Sequence, residues 1–254
     1  MNKGVVAWHQ QALALLAKDL RAELRTKVAV SAVGVFTFSA LLLLALATIN
    51  LKDTPTLNMG VLTDPITRDG VVSLLRPAWE PASKMGLLWV LLCFAAFTGL
   101  AHTFVHEEDS GTTAALRLSM TASAVYAGKL SFNFLLIAVV ALAVTPAYMG
   151  ITGMPIGSPL VFISVMLGGT VGLSAAATIV GALAAKAQGT SALYSALGLP
   201  MLVVFLIMLI NAAITLYSKN PTVLQIGRDV GGLFSFGVML IAISALVFHF
   251  VWED

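Results

Sequence analysis

The sequence predicts an all-α integral membrane protein, with six transmembrane helices preceded by an N-terminal amphipathic interfacial helix. Composition is the first reason. Hydrophobic residues make up 59% of the chain and charged residues only 10%, with a mean hydropathy of +0.95, whereas a soluble domain carries roughly a quarter charged residues. The second reason is where the charges fall. Asp, Glu, Lys and Arg are absent from Val28 to Leu51, Met85 to His106, Leu130 to Ala185, Ala187 to Ser218 and Val230 to Trp252. A helix needs about 20 apolar residues to cross the hydrocarbon core. The runs are continuous rather than alternating with period two, which argues against a barrel. The same composition excludes a water-soluble domain, a disordered tail and a disulfide scaffold. A net charge of +2 leaves no nucleic-acid footprint, and the single Cys93 is expected to be inert packing.

Residues 1–27 are read as a cytoplasmic interfacial segment. Val5, Trp8, Ala12, Leu16, Leu20 and Leu24 recur every three or four positions and make one apolar face, with Lys18, Arg21 and Arg25 away from much of it. Such a helix lies on the inner leaflet, either as a simple anchor or with a further role. A transmembrane domain follows over 28–254, with spans near 28–50, 85–106, 126–149, 159–185, 191–217 and 230–252. The loop 51–84 is external, punctuated by Pro55, Asp64, Pro65, Asp69, Gly70, Pro77 and Pro81, and Val71 to Leu75 suit a short surface helix. The break between spans three and four falls among Pro146, Gly150, Gly153, Pro155, Gly157 and Pro159. Lys186 to Ser191 form a tight turn in which Thr190 or Ser191 caps the fifth span. Trp252 at the far end is an interface anchor.

Orientation follows from Lys and Arg. With the N-terminus inside, the inner segments hold Lys3, Lys18, Arg21, Arg25, Lys27, Arg117, Lys129 and Lys186, and the outer ones Lys52, Arg68, Arg76, Lys84, Lys219 and Arg228. The cluster before the first span decides for both termini in the cytoplasm. That span is longer than a signal peptide's apolar core and is preceded by about 27 residues, so no cleavable signal is expected. A bacterial inner membrane is the expected location.

No Asp, Glu, Lys or Arg is expected at the middle of a span, which argues against an ion-coupled carrier or a channel. The polar groups there are Asn133, Thr145, Ser164, Thr170, Ser174, Thr178, Asn211 and Thr215, and hydroxyls bond their own helix as packing devices. Gly168 and Gly172 form a GxxxG continued by Ala176, a small face for close helix contact. There is no HExxH, GxSxG or P-loop, so the chain is not expected to be an enzyme or to hydrolyse ATP itself. His102 and His106, four apart, are a candidate for metal or haem, set against the reading as ordinary interfacial histidines. The loop 107–125 is the most informative. Glu107, Glu108 and Asp109 precede Ser110, Thr112 and Thr113 and then Leu116, Arg117 and Leu118. Acids and hydroxyls suit the start of a helix, so the segment is either a short force-transmitting cytoplasmic helix or a solvated acidic turn.

Four stretches carry a family resemblance: Lys18 to Arg25 leading into the first span, Gly86 to Val90, Phe104 to Glu108, and Gly111 to Ser119 followed by Tyr126 to Leu130. With them the chain resembles the CcmB family, the membrane permeases of the cytochrome c maturation (haem exporter) ABC transporter. The resemblance implies an exporter-type ABC permease architecture. It also implies a separate cytoplasmic ATPase that binds the ATP, a haem-handling membrane subunit, a small single-span subunit and a haem chaperone, with no covalently bound cofactor and haem as a candidate cargo. The coupling helix then runs from Ser110 to Ser119, with Glu107, Glu108 and Asp109 at its mouth and Leu116, Arg117 and Leu118 in its body. The loop 51–84 is long for the family, and the partner's haem-presenting tryptophan motif is absent. Six spans are half of an ABC membrane domain, which a homodimer or a heterodimer completes. Two other classes stay open on the residues alone: a non-transporting membrane scaffold, and a haem-binding protein or secondary transporter built on His102 and His106.

Overall fold

The computed structural model describes residues 7–52, 81–97, 119–186, 191–218 and 220–253. Seven helices occupy them: α1 Trp8–Thr26, α2 Val28–Lys52, α3 Pro81–Phe97, α4 Ala122–Thr152, α5 Pro159–Lys186, α6 Ser191–Tyr217 and α7 Val223–Glu253. Pro81 and Pro159 each take the first helical position, where a missing N–H costs nothing. Thr121 caps α4, its Oγ1 accepting from the Ala124 N–H at 3.4 Å.

Among the described residues, three stretches are long and apolar enough to cross a membrane: Ala122–Thr152, Pro159–Gly181 and Val223–His249. A fourth arises if the bent pair α1 and α2 counts as one span, while Pro81–Phe97 and Val203–Tyr217 are shorter apolar stretches. The six-span count is therefore not established by helix length, although helices begin at 28, 159 and 191 as expected.

The break after the third span differs from expectation in one respect. Helix α4 runs straight through Pro146 and ends only at Gly153, whose φ of 63° is a left-handed C-cap with its N–H on the Met149 carbonyl. Neighbouring helices let a membrane helix keep a proline that would break a soluble one.

Helix α5 is the core. Residues 172–181 are buried without a gap, because Gly172, Ser174, Ala175, Ala176 and Ala177 allow α4, α6 and α7 to approach closely. A Cβ on Gly169 would come within 2.1 Å of the Trp89 ring on α3, and one on Gly172 within 2.3 Å of Phe205 on α6. Gly168 faces Leu233 and Phe234 of α7. The hydroxyls of Ser164, Thr170, Ser174 and Thr178 donate to carbonyls within α5 itself. Asn133 is the exception, its Nδ2 donating across to Thr178 Oγ1 at 2.7 Å.

Contacts among α3 to α7 fall at two ends of the bundle. At one, Tyr148 donates to the Lys84 carbonyl and Tyr217 to the Pro155 carbonyl, at 2.7 and 2.8 Å. At the other, the start of α4 and the far end of α7 meet, with Tyr126 and Phe248 ring centroids 5.6 Å apart. Helix α1 lies across that second end.

Candidate functional site on the docked first helix

Helix α1 is held to α4 by a row of contacts one helical repeat apart. Gln11 comes first, its Oε1 accepting from the Thr121 N–H at 3.2 Å. Leu15 is next and fully buried, packed with Val125, Tyr126 and Phe248. Gly128 makes that approach possible, since a Cβ there would lie 3.0 Å from Leu15 Cδ2 and 3.1 Å from the Ala12 carbonyl oxygen. Asp19 completes the row. Its carboxylate meets Lys129 Nζ at 2.9 Å, with the two side chains 9% and 3% exposed. Lys18, at the open edge, lies 3.3 Å from the other oxygen. Positions 11, 15 and 19 are four apart, hence on one helical face.

A buried ion pair of this kind adds little over a well-packed apolar pair, but losing one partner leaves a bare charge in a low-dielectric site. It therefore works as a registration device. The apolar contacts hold α1 against the bundle, and the pair favours the rotation and position along α4 that bring the two charges together.

The corner into α2 is equally defined. Lys27 adopts φ 56°, and its N–H returns to the Glu23 carbonyl at 2.7 Å. The Glu23 side chain reaches past it to accept from the Val30 N–H at 2.7 Å, capping α2. The two helices are bent by 64°. Gln11, Leu15, Asp19 and Glu23 thus form a continuous line tying both α2 and α4 to α1.

The stripe of Trp8, Ala12, Leu16, Leu20 and Leu24, expected to face the leaflet, is not the face centred on the protein. Trp8 and Leu24 are 58% and 73% exposed, Leu16 and Leu20 rest only partly on the core, and the buried centre is Leu15 with Asp19. Val5 lies outside the described residues. Helix α1 turns one face to the protein and leaves another exposed, and a hydropathy stripe alone does not separate them. Lys129, expected among the basic residues of an inner segment, is buried between α1 and α4. Its signal in the sequence is the one charged residue of α4, Lys129, together with the one aspartate of α1, Asp19, eight positions from Gln11.

The sequence-predicted coupling residues Glu107, Glu108, Asp109, Leu116, Arg117 and Leu118, and the histidines His102 and His106, lie outside the described residues. Thr190 and the loop helix near Val71 also fall outside them, while Ser191 is the first residue of α6. Gly168 and Gly172 belong to the helix core and not to this site. Among the described residues no three His, Cys, Asp or Glu side chains come together as a metal site.

What a helix clamped at this position serves depends on the kind of membrane protein that carries it. The family model for CcmB protein matches residues 81–249, more than half of the chain. The chain belongs to the CcmB family. Neither the curated proteins nor the solved structures yield a match. As a CcmB family protein it is a multi-pass membrane protein of cytochrome c maturation. The family implies an ABC transporter complex with an ATPase partner, in which the permease usually lacks catalytic activity. The matched segment runs from α3 into α7. It includes Thr121, Gly128 and Lys129, the receiving half of the site, while α1 precedes it.

Proposed function

We propose that this chain is the permease subunit of an ABC transporter in cytochrome c maturation, and that α1 carries the motion of the ATPase-facing loop into the bundle. The observation that carries this reading is the attachment of α1 at Thr121, directly after the acidic and hydroxyl-rich segment 107–119. A push on that segment acts on the first turn of α4, where Gln11 and Asp19 make α1 part of the same body. Through the Glu23 corner the motion reaches α2 as well.

In this reading the chain crosses a bacterial inner membrane six times, with both termini in the cytoplasm. The meeting of α1, the start of α4 and the far end of α7 supports it, because it puts the two ends of the described chain on one side. Ser110 to Ser119 form the coupling helix, Glu107, Glu108 and Asp109 meet basic or polar groups of the ATPase, and Leu116, Arg117 and Leu118 register it. ATP binds to that separate subunit. A haem-handling membrane subunit, a single-span subunit and a haem chaperone complete the assembly, with haem exported or haem-loaded chaperone released. A second copy of the chain supplies the other half of the membrane domain.

Co-purification tests this. Glu108→Lys combined with Leu116→Asp is expected to lose the ATPase from the pull-down and to stop cytochrome c production. Retention of both would remove 107–119 as the coupling segment.

A further inference from the structure

The end of the bundle away from α1 holds a cavity of about 410 Å³ between the last turns of α6 and the first turns of α7. This lies in the range of small-ligand sites. Its polar lining is Asn211, Thr215, Ser218, Gln225, Arg228 and Asp229. The charges are arranged in a particular order. Asp229 is 12% exposed, and both its oxygens are taken: Oδ1 accepts from Arg228 Nε at 2.9 Å and Oδ2 from the Thr215 hydroxyl. The carboxylate is thereby a fixed backing that holds the arginine in place. The Arg228 side chain is 74% exposed, and beyond Asp229 it has no partner among the described residues. Arg228 lines the cavity, and its one hydrogen bond among the described residues uses Nε and not the two terminal nitrogens. Gln225 has its Oε1 occupied by the Thr222 N–H at 2.9 Å, which leaves its NH₂ as a further donor. A guanidinium with free terminal nitrogens beside an amide donor suits an oxyanion of phosphate geometry.

The surroundings narrow the ligand. Val223 and Leu224 are 87% and 83% exposed, and Leu224 lies four residues before Arg228, on the same face of α7. A donor-lined pocket next to bare aliphatic side chains, where an apolar helix begins, matches an amphiphile with an anionic head. We propose that the α6–α7 cavity binds the phosphate of a membrane phospholipid, with the phosphate on Arg228 and Gln225 and the glycerol and acyl end along Val223 and Leu224. The bound lipid fixes the α6–α7 turn against the membrane surface. This site stands apart from α1 and does not depend on the coupling role given to it.

Native mass spectrometry of the delipidated full chain in mild detergent tests the assignment. The probes are dioleoylphosphatidylglycerol, dioleoylglycerol and inorganic phosphate. The expected result is a one-to-one phosphatidylglycerol adduct that outlasts any diacylglycerol adduct. Arg228→Ala should weaken it about tenfold, the size of one charge-assisted contact, Arg228→Lys less, and Leu224→Ser severalfold. Inorganic phosphate should not displace it at equal concentration. Arg228 and Leu224 are both exposed, so these variants keep the fold, which far-UV circular dichroism verifies. Equal retention by wild type and Arg228→Ala overturns the proposal. So does displacement by inorganic phosphate with Leu224→Ser neutral, which makes the cavity a soluble-anion site.

Discussion

The two ends of the bundle are closed by different chemistry. Where α1 docks, the closure is charged and buried: Asp19 on Lys129, with Gly128 letting the helices touch. At the opposite end Tyr148 and Tyr217 each donate one neutral hydrogen bond to a backbone carbonyl, and the ion pair there, Arg228 with Asp229, is open to solvent on its arginine side. A neutral hydrogen bond tolerates small shifts and contributes about 1 kcal/mol. A buried ion pair tolerates none, because a separated charge has no solvent to fall back on. The contrast says that the α1 end is built for fixed register and the tyrosine end for ordinary closure.

The largest expected effect comes from breaking the charged end. Asp19→Ala should destabilise the purified protein by up to roughly 3–5 kcal/mol, the cost of removing one partner of a buried pair, and Lys129→Ala by less, because Lys18 stays 3.3 Å from Asp19. Thermal unfolding in detergent reads this directly. Replacing both residues by leucine should recover most of the loss, since an apolar pair of similar volume is close to neutral there. Equal destabilisation by the single and double variants would contradict the registration role.

Next is the packing between the ends. Gly169→Ala drives a methyl into the Trp89 ring, and about 1–3 kcal/mol should be lost. Gly150→Ala, where a Cβ meets nothing within 4 Å, serves as the matched control and should be neutral. At the tyrosine end, Tyr217→Phe should cost about 1 kcal/mol through the Pro155 carbonyl it leaves. The smallest change is Asn133→Leu, which removes the bond to Thr178, where interhelical hydrogen bonds average about 0.6 kcal/mol. If Tyr217→Phe proved as damaging as Asp19→Ala, the contrast between the ends would fail.

Hydropathy made the helices legible, but not their faces or their charged partners. The starts at 28, 159 and 191 follow from apolar runs bounded by Lys27, Pro159 and Ser191. Helix α7 begins at Val223 and not near 230, because Arg228 and Asp229 satisfy each other and Thr215, so charges that read as a helix boundary sit inside one. Helix α3 begins at Pro81, earlier than a charge-free run starting at Met85 suggests, since Lys84 offers its carbonyl to Tyr148 without interrupting the helix. The docking site was legible only in pieces. Glycine at 128 and lysine at 129 carry no pattern until Leu15 and Asp19 are seen to lie over them. Asp19 and Lys129 are 110 residues apart, as are Gln11 and Thr121, a separation that periodicity does not bridge.

The most direct test of the account asks whether α1 and α4 move as one body. Spin labels at Leu13 and Leu142, 63% and 79% exposed, report the distance between the two helices by pulsed electron resonance in the assembled complex. The account predicts one narrow distance that is the same with and without ATP, and a broadened one in Lys129→Ala. A distance in the otherwise unmodified protein that changes on ATP binding would show α1 leaving α4, and would contradict the clamp.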